Sequence, residues 1–338
     1  MLPEPFQDAL VLTGPTGSGK TRLGVRLAER LGAEIVSMDS MALYRGMDVG
    51  TAKPSAEARA RVPHHLIDVL DPWESASVAW WLQQAARCCQ AIRARGRRIL
   101  FVGGTPLYLK ALLHGLFDGP PADAALRRRL EAEAEAVGRP ALHARLAQVD
   151  PTTAARLHPN DLRRVVRALE VWELTGRPIS AWQTQWPGAG GRGSRVRGQE
   201  SGVRGQESGI REEVGHSSPT PDPRPPTPVL WLDRPRAELY ARINARVRQM
   251  VAEGLVEEVQ RLRALPRPLS REAAQALGYK EMFAHLDGRA GLEETIVRIQ
   301  TRSRNFAKRQ MTWFRRLPAC RPATEELTFA LWGLTMET

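Results

Sequence analysis

The sequence near the N-terminus reads Gly14-Pro15-Thr16-Gly17-Ser18-Gly19-Lys20-Thr21. These eight residues fit the phosphate-binding pattern G-x-x-x-x-G-K-[ST] without a mismatch. The apolar run Ala9-Leu10-Val11-Leu12 precedes the pattern, and apolar residues recur after it at the spacing of one helical face. The flanks therefore predict a strand, a phosphate-binding loop and a helix in direct succession.

The residue types of this loop suit a phosphorylated ligand. Backbone N–H groups and the helix N-terminus attract phosphate oxygens, Lys20 adds a point charge, and the Thr21 hydroxyl is a candidate ligand of Mg²⁺. We therefore predict that all eight residues, Gly14 to Thr21, bind phosphate.

The alternation of apolar runs with helical stretches extends this pattern along the chain. Strands are predicted over 34–37, 99–102 and 229–232, and helices over 78–94, 236–263, 271–286 and 292–316. This rhythm predicts an α/β fold, a P-loop parallel sheet core with crossover helices. Ligands bind at the carboxyl ends of the strands in such sheets. We therefore expect the phosphate loop, the Asp39-Ser40 turn and Gly103-Gly104-Thr105 to converge.

Composition divides the chain further. Residues 1–119 are the predicted first part of the core, 120–182 a helical insertion domain, and 229–325 the second part of the core with a helical, basic C-terminal region. The tract 188–228 is rich in Gly, Ser and Pro, contains a short tandem repeat, and is predicted to be disordered.

Charge points to a polyanionic partner. The 338 residues carry a formal net charge of +12, with a sequence pI near 10.5, which favours nucleic acid or another polyanion. The three cysteines have neither disulfide-framework nor zinc-site spacing. No signal-peptide pattern and no apolar run of bilayer length are found, so we predict a cytoplasmic protein that does not bind membranes.

Two arginine pairs and one acid leave alternatives open at this point. Arg163 and Arg167 share a helical face, as do Arg242 and Arg246, and each pair fits either a phosphate-binding patch or an exposed surface. Asp39, after the second strand, fits a general base or the cap of a turn. No carboxylate follows the third strand, which makes ATP hydrolysis less favoured than the loop alone suggests.

Several longer blocks resemble the tRNA dimethylallyltransferases. They occur in that family's order: Gly14 to Thr21, Asp39 to Pro54, Pro63 to Asp68, Val102 to Tyr108, His158 to Asp161, Arg167 to Glu170, Gly278 to Met282, and Ala307 to Phe314. The resemblance covers everything except the tract 188–228 and is of the bacterial type, without a zinc-finger extension. This chain has Ala42 where many members carry Gln.

The resemblance implies transfer of a dimethylallyl group from dimethylallyl diphosphate to N6 of adenine 37 in tRNA. It implies that Asp39 is the catalytic base, that Thr105 assists it, and that Lys20, Arg246 and Mg²⁺ on Thr21 neutralise the leaving diphosphate. The anticodon stem-loop is the implied RNA partner, and we expect a monomer. The residues that this resemblance implies for tRNA binding are Asp39, Ser40, Met41, Ala42, Thr105, Arg127, Arg163, Arg164, Val165, Val166, Arg167, Gln275, Gly278, Tyr279, Lys280, Lys308 and Arg309.

Two other functions use the same loop. One is a kinase for a small metabolite, which would need a lid arginine but would have no use for the basic C-terminal half. The other is a nucleotide-gated RNA-binding switch, which would need no catalytic base.

Overall fold

The computed structural model describes residues 2–117, 119–182 and 229–335. The chain divides into two compact units, one formed by Met1–His114 with Pro226–Thr338 and the other by Gly115–Pro225. The first unit is a parallel α/β domain and the second is helical. The predicted disordered tract 188–228 lies outside the described residues.

The first unit contains a six-stranded sheet. Its strands are β1 (Leu10–Thr13), β2 (Ala33–Ser37), β3 (His64–His65), β4 (Arg98–Gly103), β5 (Val229–Leu232) and β6 (Cys320–Ala323). All pairings are parallel, in the order β3-β2-β4-β1-β5-β6. The predicted strand over 229–232 is confirmed, and it pairs directly with β1 although more than 200 residues separate them.

Helices cover both faces of the sheet. In the first unit they are α1 (Lys20–Leu31), α2 (Ala56–Arg61), α3 (Val78–Ala94), α4 (Pro106–His114), α10 (Arg236–Ala252), α11 (Leu255–Arg263), α12 (Arg271–Ala274), α13 (Tyr279–Leu286), α14 (Leu292–Arg316) and α15 (Glu325–Leu331). The second unit contains α5 (Ala124–Val137), α6 (Arg139–Val149), α7 (Pro151–Ala154), α8 (Leu162–Thr175) and α9 (Ile179–Trp182).

Side chains alternate between two cores along each strand. Val11 and Phe101 point into the larger core with α3, α10, α11 and α14, whereas Leu12 and Leu100 point into the smaller core with α1 and α15. Successive residues of a strand face opposite sides of the sheet. Because both sides are covered, the central strands β1, β4 and β5 consist mostly of apolar residues, which is the pattern of a buried parallel sheet.

Several boundaries differ from the predicted ones. The helix predicted over 236–263 is two helices, because Gly254 has φ +96° and breaks the helical path between α10 and α11. The helix predicted over 271–286 is likewise interrupted between α12 and α13, where Gly278 has φ +94°. The helices predicted over 78–94 and 292–316 have the predicted bounds.

The two edge strands have no counterpart in the prediction. β3 is only two residues long, and β6 contains two exposed residues, Arg321 and Pro322. Neither segment is an apolar run, so period and hydropathy carry no strand signal there. No helix in the described part of the chain combines the length and the apolar character needed to cross a membrane.

Candidate functional site

The phosphate loop connects β1 to α1, as its flanks predict. Gly17 has φ +82° and Gly19, the N-cap of α1, has φ +94°. A side chain at Gly17 would bring Cβ within 2.9 Å of Ile243, so neither the backbone conformation nor the space admits one. The loop therefore presents backbone N–H groups at a helix N-terminus, which is the geometry that binds phosphate.

The charge of Lys20 is influenced by a second cation and by an acid. Its Nζ donates to the carbonyl oxygen of Pro15 over 3.3 Å. Burial lowers the pKa of Lys20 to about 8; the nearby Asp39 carboxylate opposes this shift and the Arg246 guanidinium adds to it. Burial also lowers the pKa of Arg246, and Asp39 again opposes the shift. Three predicted site residues from β2, α1 and α10 therefore share one electrostatic environment.

Asp39 and Thr105 follow neighbouring strands, β2 and β4. The Thr105 Oγ1 accepts a bond from the Ser40 N–H over 3.1 Å, and the Thr105 N–H donates to Met38 over 3.2 Å. A Cβ on Gly103 would come within 2.3 Å of the Met38 carbonyl, so glycine is required where the two strand ends approach. Asp39 Oδ1 accepts the Met41 N–H over 2.9 Å. Asp39 thus does cap a turn, and this turn fixes its carboxylate at the strand end.

A glutamine from the C-terminal half completes the loop. Gln310, on α14, is 2% exposed. Its Oε1 accepts the Thr16 N–H over 2.9 Å and its Nε2 donates to the Gly104 carbonyl over 2.6 Å. The prediction missed this role, because nothing in a sequence signals a contact across 294 positions. The only available signal was that Gln310 falls inside the block Ala307 to Phe314.

Two arginines support the outer side of the loop. Arg234 donates through Nε to the Ser18 carbonyl over 2.6 Å, and Arg242 donates through Nε to the Gly17 carbonyl over 2.8 Å. Arg242 therefore bonds to the loop backbone, whereas Arg246 is the arginine coupled to Lys20 and Asp39. The role of Arg234 was also missed.

The predicted RNA-contacting residues of the α/β unit differ in exposure. Gln275, Lys280, Lys308 and Arg309 are exposed, and Lys280 Nζ donates to Gln275 Oε1 over 2.7 Å. Ser40 and Met41 are half-buried, whereas Ala42, Gly278 and Tyr279 are buried. The Tyr279 side chain packs in the larger core. The contacts that the ring makes are packing contacts, and its predicted contact with RNA stays a prediction.

In the helical unit, α8 exposes Arg163 and Arg164 and buries Val165 and Val166. The two valine side chains belong to the core of this unit. Their predicted contact with RNA stays a prediction, and their burial favours backbone atoms over side chains for such a contact.

A buried glutamate holds the other two predicted arginines of that unit. Arg127 donates to both oxygens of Glu170 over 2.9 Å, and Arg167 donates to Oε2 over 2.6 Å. Burial by itself would raise the pKa of Glu170, but the bonds from Arg127, Arg167 and the Asp123 N–H hold it below its ordinary value. These arginines are thus oriented by an ion pair at the junction of α5 and α8.

No group of three or more His, Cys, Asp or Glu side chains suited to a metal ion is found within residues 2–117, 119–182 and 229–335. The half-buried Thr21 hydroxyl, directly after Lys20, is a hard oxygen ligand. Mg²⁺ at phosphate sites commonly takes only one or two protein ligands together with phosphate oxygens and water. The donor set present is compatible with such a site.

Comparison with known proteins gives a consistent result. A family profile described as IPP transferase matches residues 42–317, and one described as isopentenyl transferase matches residues 7–62. The chain is 45% identical over 307 residues to a tRNA dimethylallyltransferase of Geobacter metallireducens, with 91% of this chain and 89% of the relative covered. It is 47% identical over 312 residues to one of Anaeromyxobacter dehalogenans, with 91% of each covered.

Solved structures agree. A tRNA isopentenylpyrophosphate transferase from Bacillus halodurans superposes with a TM-score of 0.60 at 39% identity, covering 94% of this chain and 90% of that one. A eukaryotic dimethylallyltransferase acting on tRNA superposes with a TM-score of 0.66 at 26% identity, covering 90% of this chain and 69% of that one.

Proposed function

The chain belongs to the IPP transferase family, whose curated relatives are tRNA dimethylallyltransferases, and from this premise we propose its substrates and the roles of its residues. It transfers a dimethylallyl group from dimethylallyl diphosphate to N6 of adenine 37, next to the anticodon of tRNA, and releases diphosphate. The observation that carries the proposal is the grouping of Lys20, Arg246 and Asp39 beside the phosphate loop. Two cations suit a leaving diphosphate, and the carboxylate suits an incoming amine.

The leaving group is held by the loop. In the proposed complex the diphosphate oxygens accept bonds from N–H groups of Gly14 to Thr21, and Lys20 and Arg246 balance the charge that grows as the C1–O bond breaks. The bonding electron pair leaves with the diphosphate. Stabilising charge that develops in the transition state is the largest single contribution in many enzymes. Burial of Lys20 strengthens this contribution because few water molecules screen it.

The acceptor is activated at the end of β2. The amine nitrogen N6 forms the new bond to C1, and its proton passes to the Asp39 carboxylate. The Thr105 hydroxyl accepts a hydrogen bond from the Ser40 N–H over 3.1 Å and so orients the turn that carries Asp39. We assign the adenine ring to the neighbourhood of the half-buried Met41, which follows the turn.

We assign Mg²⁺ to Thr21 and the diphosphate oxygens. When bound there, the ion supplies further positive charge to the leaving group. Lys20 and Arg246 provide the charge that belongs to the protein itself.

Contacts with RNA are proposed for each unit by itself. An adenine within the anticodon loop must leave its stack to reach a crevice of this kind. The exposed cations Arg163, Arg164, Lys280, Lys308 and Arg309 are assigned to backbone phosphates of the anticodon stem-loop. We propose that the enzyme acts in the cytoplasm, as a monomer.

The kinase alternative is not favoured. β4 ends in Gly103, and the following Gly104 and Thr105 bring no carboxylate to the crevice. The relatives found by comparison are prenyltransferases.

The proposal is tested by nucleoside analysis. The protein is incubated with dimethylallyl diphosphate and an unmodified anticodon stem-loop, and the RNA is digested and analysed by mass spectrometry. We expect N6-dimethylallyladenosine from the stem-loop with adenine at position 37 and none from a matched stem-loop with guanine there. Equal modification of both RNAs, or of neither, would contradict the proposal.

A further inference from the structure

One buried carboxylate lies outside the reaction described above. Glu258, on α11, is 2% exposed. Its Oε2 accepts the N–H groups of Asp48 and Val49, both over 2.8 Å, and its Oε1 accepts the Gly50 N–H over 3.1 Å and the Tyr279 hydroxyl over 2.6 Å. Each oxygen therefore receives two donors, which fills the acceptor capacity of a carboxylate.

These bonds join two regions that are distant in sequence. Residues 48–50 belong to the segment that begins with Asp39 after β2, which we call the base loop (39–53). Tyr279 is the first residue of α13 and is followed by the exposed Lys280. A Cβ on Gly50 would come within 2.5 Å of the Tyr279 ring, so the loop backbone lies directly against the ring. Glu258 thus fixes the base loop against the start of α13.

The far end of the base loop is anchored as well. Lys53 Nζ, on a side chain 2% exposed, donates to Asp48 over 2.7 Å, to Asp68 over 2.5 Å and to the Tyr44 carbonyl over 2.5 Å. Ala52 has φ +49°, a conformation that a residue with a side chain adopts only when its surroundings enforce it. The loop is therefore held by bonds within itself, from Lys53 to Asp48 and Tyr44, and by a bond from Lys53 to Asp68 outside it.

We propose that Glu258 is a positioning residue, which fixes the base loop so that Asp39 meets the adenine amine and which links that geometry to tRNA bound at the start of α13. This inference rests on the proposed function. The reason is geometric: a reacting group displaced by about 1 Å can lose about 100-fold in rate. The Tyr279 hydroxyl remains a donor in this link because burial and the adjacent Glu258 raise the pKa of Tyr279.

The test uses Glu258→Gln. The glutamine side chain has nearly the same volume as the glutamate side chain. Its NH₂ group, however, faces at least one backbone N–H of residues 48–50, so at least one of these hydrogen bonds is lost and the base loop is held less firmly. Tyr279→Phe removes one donor from Glu258 and leaves the three backbone bonds. Glu34→Gln is the matched control, because Glu34 is also a buried carboxylate, 5% exposed, but is bonded to Arg95 and His65 at the start of β2.

Three quantities are measured for each protein: kcat for prenyl transfer, KM for dimethylallyl diphosphate, and hydrogen exchange at the amides of residues 48–50. For Glu258→Gln we expect kcat to fall by about 10-fold to 100-fold with KM for the donor within about twofold, and faster exchange at these amides. Tyr279→Phe should also lower kcat without changing KM for the donor, but by a smaller factor. Glu34→Gln should keep the wild-type kcat.

Other outcomes would overturn the inference. One is a kcat of Glu258→Gln equal to that of the wild type. Another is an equal fall of kcat in Glu258→Gln and Glu34→Gln, which would indicate general destabilisation. If Glu258→Gln does not fold, an unchanged kcat in Tyr279→Phe overturns it instead. A wild-type protein without prenyl transfer would refute the proposed function, and unaltered exchange at residues 48–50 would then separately refute the anchoring.

Discussion

Lys20 is a site residue whose charge depends on its surroundings. Burial lowers its pKa to about 8, with Arg246 acting in the same direction and Asp39 opposing it. A bound diphosphate would be a counter-charge to Lys20: it would stabilise the protonated form and so raise the pKa of Lys20. The free protein therefore has a lysine that is only partly charged in mildly alkaline solution.

This predicts a pH-dependent affinity for dimethylallyl diphosphate. If only protonated Lys20 binds the donor tightly, Kd should rise by about fivefold between pH 8 and pH 9. Isothermal titration without tRNA measures this directly. Lys20→Arg, which keeps its charge throughout this range, should flatten the profile, and a flat profile in the wild type would show that Lys20 does not titrate there.

Asp39 gives a second prediction at this scale. Asp39→Ala should lower the single-turnover rate of prenyl transfer by about 10²-fold or more, the usual scale for loss of a general base. The affinity for tRNA should remain close to wild type, since phosphate contacts provide most of it. Asp8→Ala is the control, because Asp8 pairs with Arg93 near the surface and contacts no residue of the base loop named above. A wild-type rate in Asp39→Ala would remove Asp39 from the mechanism.

At the scale of elements, α14 connects the proposed RNA-binding surface to the phosphate loop. Lys308 and Arg309 are exposed on this helix, while the adjacent Gln310 is buried and bonds to Thr16 and Gly104. One helix thus presents cations outward and holds the phosphate loop inward.

Gln310→Ala should weaken binding of dimethylallyl diphosphate by about tenfold, because unpaired buried polar groups cost on the order of 1–3 kcal/mol and the loop loses its support. Gln300→Ala is a matched control on the same helix, since Gln300 is 8% exposed and donates to the Asn244 carbonyl over 3.1 Å. It should retain the donor Kd even if its melting temperature falls. Equal donor affinity in both variants would contradict this role for Gln310.

Elements with a strong local signal could be predicted from the sequence. The phosphate loop, β5, α3 and α14 follow from motif, apolar runs and helical period. The breaks at Gly254 and Gly278 could not be placed, because helical period continues across them and only the observed φ values separate the helices. The contacts of Gln310 and Glu258 depend on tertiary packing between distant segments, for which one sequence has no local signal.

At the scale of the whole molecule, the net charge of +12 finds an explanation in RNA binding. Each unit exposes cations that the proposal assigns to phosphate: Arg163 and Arg164 in the helical unit, and Lys280, Lys308 and Arg309 in the α/β unit. Binding through phosphates releases counterions, so affinity should fall steeply as salt concentration rises.

A charge reversal tests this assignment. Arg163→Glu should weaken binding of the anticodon stem-loop and reduce the slope of log K against log salt by about one. Arg98→Glu carries the same change in net charge at the amino end of β4, away from the strand ends that form the crevice. It should leave the slope unchanged. Equal effects of both variants would mean that net charge alone governs binding.

The central claim is that the phosphate loop holds a departing diphosphate and that no nucleotide is split there. The most direct measurement incubates the protein and unmodified tRNA with dimethylallyl diphosphate labelled in its prenyl group and ATP labelled at its γ-phosphate. We predict that prenyl label enters the tRNA while the ATP label stays in ATP. Release or transfer of the γ-phosphate, with no prenyl label in the tRNA, would contradict the claim.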